Sequence, residues 1–405
     1  MPRTHLVNSD VRDHNLGLVL TTLDRLRRGA RAEIALETGL ARSAITNLSA
    51  VLLENRLVRP VADQPPQRVG RRIEQLEIDG RHLCLIGAQL EVDQAVVVAH
   101  DLTGRELHRD EIPVRTPRDA DPETVAKTIA DGVAASLDRL TGVSPLSLDL
   151  VVPGGIARDA ATVSCALDLG WIDVPYRTLV AARLPAFPAG VHLAGDGSLA
   201  AYAEFAALRA EPGMAGLSDV FFLKSATGVG AGVISEGQIL RSALHAPGHM
   251  IVVPDGEQCE CGRRGCFVTV ADPEVVVRRA GLTDVRRERG LPMALDELVR
   301  RVRDGDPAAR AAAEEAVFWF RILIDNANLM YEPQMVVLGG YLAAFAAELA
   351  DLPETTLSTL GYGSRQGRDA LVPARLGAFA AVQGALTLRR LELLSAPARS
   401  GLLSA

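Results

Sequence analysis

Apolar residues recur at helical spacing over residues 11–28, where Leu16, Val19, Leu20, Leu23 and Leu26 form one stripe with arginines opposite. Gly29 ends that helix. A short second helix is predicted over residues 31–38, followed by the turn Thr38-Gly39-Leu40. A third covers 42–54, with Ile45, Leu48, Val51 and Leu52 facing inward. Two short helices joined by a tight Gly-containing turn are the helix-turn-helix signature. Residues 58–61 and 73–78 read as strands, and the polar loop between them, 63–72, has the character of a wing.

From residue 83 the pattern changes. Strands at 83–87 and 95–99 flank a polar connection, Thr103-Gly104 turns into a strand over 105–114, a helix follows over 122–140 and a strand over 147–154. A helix at 199–209 and a strand at 220–224 open a second half. Helices then cover about 273–330, Met335–Gly340 reads as a strand, and a closing helix spans about 380–395 before a tail expected to fray. Strands alternating with helices indicate an α/β body. The expected division is a head over 1–78, a first lobe over 79–195 completed by the closing helix, and a second lobe over 196–379.

Charge sharpens that division. The chain of 405 residues carries a net −7, yet residues 1–78 hold 12 Arg against 9 Asp or Glu. A basic head on an acidic body suits a DNA-binding module attached to one that does not bind DNA. No apolar run approaches the roughly 20 residues needed to span a bilayer, and the N-terminus has no signal-peptide pattern, so the expected location is the cytoplasm. There thiols stay reduced, and clustered cysteines mean metal more often than disulfide.

Three of the five cysteines fall within eight residues: Cys259, Cys261 and Cys266, with His249 ten residues upstream. Three thiolates and an imidazole make a closed tetrahedral set for a structural Zn²⁺. Gly262 and Gly265 let the loop curl around it. Cys84 and Cys165 stand alone in other segments and read as small core residues.

Gly248-His249 followed by Cys-x-Cys-Gly-x-x-Gly-Cys resembles the zinc signature of the ROK family of repressors, uncharacterised reading frames and sugar kinases. The segment from Arg31 to Leu48 resembles the winged helix-turn-helix at the head of ROK repressors, which ROK kinases lack. The resemblance implies an α+β winged helix-turn-helix followed by a two-lobed α/β body of the actin-like ATPase (ribonuclease H-like) fold. It implies that the third helix enters the major groove of double-stranded DNA with Arg42, Ser43, Thr46 and Asn47. Gly70-Arg71-Arg72 resembles the wing tip, whose Arg71 and Arg72 reach the minor groove. Ala30 and Ala41 depart from the family, standing where helix-capping serines are usual.

Against the kinase branch, Gln89 and Glu91 stand at the Asp and first Gly of the Asp-x-Gly-Gly-Thr phosphate turn, where a second anion is electrostatically wrong. Leu167-Asp168-Leu169-Gly170-Trp171 has Asp168 for Asn. In Gly195-Asp196-Gly197-Ser198 the kinases' general base survives as Asp196, but Gly195 replaces a sugar-binding Asn. Ala246 and Val268 replace two sugar-binding Glu residues. What remains for an effector, a sugar or sugar derivative, is Asp168, Asp196 and His249. The resemblance thus implies a zinc-stabilised regulator without enzymatic activity, a repressor that binds a palindromic operator as a homodimer or homotetramer. Two other readings stay open: an effector-independent or protein-regulated DNA binder with a vestigial sugar site, and an ATP-dependent sugar kinase carrying a DNA-binding head.

Overall fold

The computed structural model describes residues 8–61, 74–114, 116, 120–226, 228–240, 247–346 and 371–403. The head begins with α1 (Asn8–Leu26), which buries Leu16, Val19, Leu20 and Leu23. It stops at Leu26, short of the expected 28, because Arg27 turns the chain at φ 66°. Gly29 then does more than end a helix: with Ala30 it forms strand β1, paired to Leu76 and Gln75. α2 (Arg31–Thr38) and α3 (Arg42–Glu54) follow, joined through Gly39 at φ 71°. Ile45, Leu48 and Leu52 are buried as the spacing predicts, whereas Val51 is half-buried and Ser49 takes an inward position. Neither Ala30 nor Ala41 makes a side-chain cap; only Glu33 reaches back, accepting from the Ala30 N–H at 3.3 Å. Strands β2 (Val58–Pro60) and β3 (Gln75–Ile78) complete a small sheet in the order β1-β3-β2. The predicted wing loop, with Arg71 and Arg72, lies outside the described residues.

Two sheets built on one plan form the body. In the first lobe β4 (Leu83–Glu91), β5 (Gln94–Asp101) and β6 (Glu106–Ile112) make an antiparallel meander. β7 (Ser144–Val152) joins β4 in parallel after the crossover helix α4 (Pro122–Arg139). A side sheet of β8 (Gly155–Ile156), β9 (Val163–Ala166) and β10 (Trp171–Val174) precedes α5 (Tyr176–Ala181), and β11 (Val191–Gly195) adds in parallel to β7. β4 runs four residues past the expected strand end. Polar Gln89 and Glu91 do not break it, because both are buried with hydrogen-bond partners in place of water.

Helix α6 (Asp196–Arg209) crosses to the second lobe, where β12 (Val220–Ser225), β13 (Val229–Ser235) and β14 (Gln238–Ile239) repeat the meander. β15 (Met335–Gly340) and β16 (Leu371–Pro373) repeat the parallel additions. Between β14 and β15 stand α7 (Val268–Ala271), α8 (Pro273–Arg279), α9 (Thr283–Arg289), α10 (Leu291–Asp304) and α11 (Pro307–Tyr331). None of the described helices is long and apolar enough to cross a membrane.

The final helix, α12 (Ala380–Ser395), packs at once on α6, on β4 and on α1. Its Val382, Leu386, Leu393 and Leu394 join one apolar cluster with Leu16, Leu20 and Leu23 of the head and with Leu85, Val96 and Val98 of the first sheet. Burying one such side chain contributes about 1.5–3 kcal/mol, so the head is cemented to the first lobe. A Cβ on Gly17 would overlap the Ser395 carbonyl, which shows how closely α1 and α12 approach. The tail does not fray: Leu402 is buried and the Ala398 N–H donates to Asp13 Oδ1 at 2.6 Å.

Candidate functional site

The cysteine loop is built by two short antiparallel contacts, Ile251 against Cys266 and Gln258 against Arg264. Gly262 at φ 86° and Gly265 at φ 69° make its turns, and a Cβ at Gly265 would overlap the Val253 carbonyl. The result brings together the four residues singled out in the sequence. Donor atoms of His249, Cys259, Cys261 and Cys266 all lie within 4.8 Å of one another. Cys259 Sγ is 3.5 Å from His249 Nδ1, and Cys261 Sγ is 3.5 Å from Cys266 Sγ. A tetrahedral metal with metal–sulfur bonds of about 2.3 Å holds its sulfurs roughly 3.8 Å apart, so the cluster has the right size for one. Burial pushes the Cys266 thiol up to about 12. At Cys261 burial acts the same way, but hydrogen bonds from Arg263 and the neighbouring thiols outweigh it and bring the thiol down to about 7. Burial, followed by the Arg263 charge, lowers the His249 pKa and favours the neutral imidazole that a metal requires.

Beside the loop lies a cavity of about 620 Å³ between the lobes. Asp168, Asp196 and His249, the three residues expected at an effector, all line it, as does Val268. Ala246 and Thr227 lie outside the described residues. Cys165 is not the core residue its isolation suggested; it is exposed and lines the same cavity, on a side sheet too small to enclose it.

Sequence reasoning passed over Lys224, which also lines the cavity. Its Nζ donates to Glu91 Oε1 at 2.7 Å and to Asp196 Oδ2 at 3.3 Å. Burial acts to discharge Lys224, but the two carboxylates together outweigh it and its pKa is raised. Burial also lifts the Glu91 carboxyl, against the pull of Lys224. The candidate base Asp196 is therefore engaged by an internal cation. A signal was present: the chain has 43 Lys and Arg residues, of which Lys127 and Lys224 are the two lysines.

In the head, Arg42, Ser43, Thr46 and Asn47 are exposed together on α3, opposite buried Ile45, Leu48 and Leu52. The Thr46 hydroxyl donates back to the Arg42 carbonyl at 2.9 Å. The first two turns of this face carry no carboxylate, which suits contact with phosphate, and the acidic residue of α3 is Glu54 at its C-terminal end.

The ROK family model matches residues 85–391. Among curated proteins, a kanosamine kinase of Amycolatopsis mediterranei is 28% identical over 262 residues, covering 64% of this chain and 81% of the kinase. The DNA-binding transcriptional dual regulator NagC of Escherichia coli is 23% identical over 393 residues, 93% of this chain and 94% of the regulator. Among solved structures, a ROK family transcriptional regulator homologous to the E. coli MLC protein superposes with a TM-score of 0.75 at 17% identity, covering 97% of this chain and all of that one (100%). A ROK family glucokinase from Streptomyces griseus, solved with glucose and AMPPNP, gives 0.57 at 24% identity, over 75% of this chain and 98% of the glucokinase.

Proposed function

The chain belongs to the ROK family, and from that premise we propose that it is a DNA-binding transcriptional regulator, a repressor, whose body senses an effector and does not phosphorylate a sugar. The observation that carries this is the extent of the likeness. Residues 79–405 make up roughly four-fifths of the chain, so an alignment with a DNA-binding regulator over 93% of it must run into the head. The glucokinase likeness, at 75%, needs the body alone. The three helices and small sheet of the head suit a winged helix-turn-helix, with α3 in the major groove and Arg71 and Arg72 on the wing. A Zn²⁺ on His249, Cys259, Cys261 and Cys266 holds the loop that forms one wall of the effector cavity, where Asp168, Asp196 and His249 meet a sugar-like ligand. Homodimers or homotetramers set the spacing of paired heads on a palindromic operator.

Genomic footprinting with the full chain supplies the operator. On it, Ser43→Ala or Asn47→Ala is expected to weaken binding by about 1–3 kcal/mol if the residue reads a base. Unchanged affinity in the triple Ser43, Thr46 and Asn47 to Ala variant rules out α3 as the reading helix.

The kinase reading is favoured by one observation, the 28% identity with kanosamine kinase. Against it stand Glu91 and Lys224, which tie Asp196 into an ion network at the cavity wall, while phosphoryl transfer needs nucleotide, metal and acceptor positioned together. No release of ADP is expected over a panel of hexoses and amino-hexoses. Turnover that disappears in Asp196→Asn would reinstate a bifunctional kinase.

A further inference from the structure

The ions in the cleft come from three different parts of the body. Glu91 ends β4 of the first lobe, Lys224 lies in β12 of the second, and Asp196 opens α6, the helix that crosses between them. Glu91 is 2% exposed and Lys224 9%, so water does little to screen their attraction. Such a triad does not simply fill space. It holds the two sheets at one separation, because neither lobe can shift without leaving a buried charge unpaired.

One amide connects this triad to the far side of the molecule. Gln89 Nε2 donates to Glu91 Oε1 at 2.6 Å and to the Ala378 carbonyl at 3.0 Å, while Gln89 Oε1 accepts from the Val382 N–H at 2.9 Å. Both ends of that amide are thereby committed: one to the ion triad, the other to the first turn of α12. The other end of α12 holds the head. Arg390 forms an ion pair with Asp24 of α1 and donates through Nε to the Leu102 carbonyl at 2.7 Å, and α1 rides against Ser395. Gln89, Glu91, Val382, Leu102 and Arg390 are buried and Asp24 is half-buried, whereas Ala378 and Ser395 are exposed.

We propose that Glu91, Lys224 and Asp196 form an inter-lobe latch, and that Gln89 passes its state to α12 and so to the head. The latch has a weak side facing the cavity. Asp196, at 3.3 Å and with 19% of its side chain exposed, is the partner that an acceptor oxygen of a ligand displaces from Lys224, leaving the shorter, buried contact to Glu91 intact. The coupling is a property of the body and head as packed, and it stands whether or not α3 reads DNA. If α3 fails its operator test, the latch is still measurable; if the latch fails, the DNA-binding reading is untouched.

Hydrogen exchange followed by mass spectrometry on the full chain separates a latch from a merely structural ion cluster. Two variants are compared with the parent: Lys224→Met, which leaves two carboxylates without their cation, and the double variant E91Q/K224M, which removes charge from both sides of the short contact. Lys224→Met is expected to lower Tm by about 5 °C or more, and E91Q/K224M to recover most of that loss. The deciding readout lies elsewhere. A latch predicts exchange faster by about tenfold or more in peptides covering residues 378–386 and 16–26 of both variants, since both lack the tether. A structural cluster predicts changes confined to β4 and β12, with α12 and α1 at parent rates in the double variant. That second pattern overturns the proposal. Should Lys224→Met not fold, the double variant alone decides, by the same comparison of peptides.

Discussion

At the scale of single residues, the metal loop and the ion triad behave differently under substitution. Cys261→Ser leaves three donors for a metal that takes four. Zinc measured by elemental analysis is expected to fall from one per chain to well below it, together with a lower Tm. Acid is expected to do the same in the parent. Proton and metal compete for the same sulfurs, and a bound metal keeps them deprotonated well below their free range, so retention is complete at neutral pH and lost in acid. The loop was legible in the sequence because its donors are local, spaced by turns that glycine alone makes easily. The triad was not. Lys224 and Glu91 are 133 positions apart and Lys224 and Asp196 are 28 apart, and no short-range pattern links them. In an arginine-rich chain, a lysine inside an apolar strand was the one local trace. Cys165 misled for the complementary reason: isolation in sequence says nothing about whether a neighbouring element covers the side chain.

The elements themselves were read well where periodicity had time to accumulate and poorly where pairing decided. α1, α3 and α12 announce themselves through stripes several turns long. β1 is two residues long and exists because β3 lies beside it, and β4 continues through Gln89 and Glu91 because tertiary partners satisfy them. One defect in an element is directly correctable. Ala41 sits in the extended conformation of an N-cap, φ −60° and ψ 143°, without a side chain to cap the first turn of α3. Ala41→Ser is expected to stabilise the protein by about 0.5–1 kcal/mol, read as a higher denaturant midpoint with an unchanged m-value. An unchanged midpoint would mean that the serine hydroxyl finds water instead of the helix.

For the whole molecule, the boundary at residue 78 marks a change of pattern in sequence and not a seam in the core. Leu16, Leu20 and Leu23 share their cluster with Val382, Leu386, Leu393 and Leu394. A fragment ending near residue 80 is therefore expected to lack cooperative unfolding and to show little ordered structure in its proton NMR spectrum, while the full chain unfolds with its head. A well-dispersed spectrum from the fragment would show that the shared cluster is dispensable. The order of synthesis gives this arrangement a meaning of its own. Asp24 and Arg390 are 366 positions apart, so at about 5–20 residues per second α1 waits on the order of 20–70 s for its partner to leave the ribosome. Until then the nascent head has an open apolar side and no Arg390 to steady it. A stalled or truncated chain is thus marked as unfinished by its own first helix, open to chaperones and proteases, and only a chain translated through α12 presents a closed head.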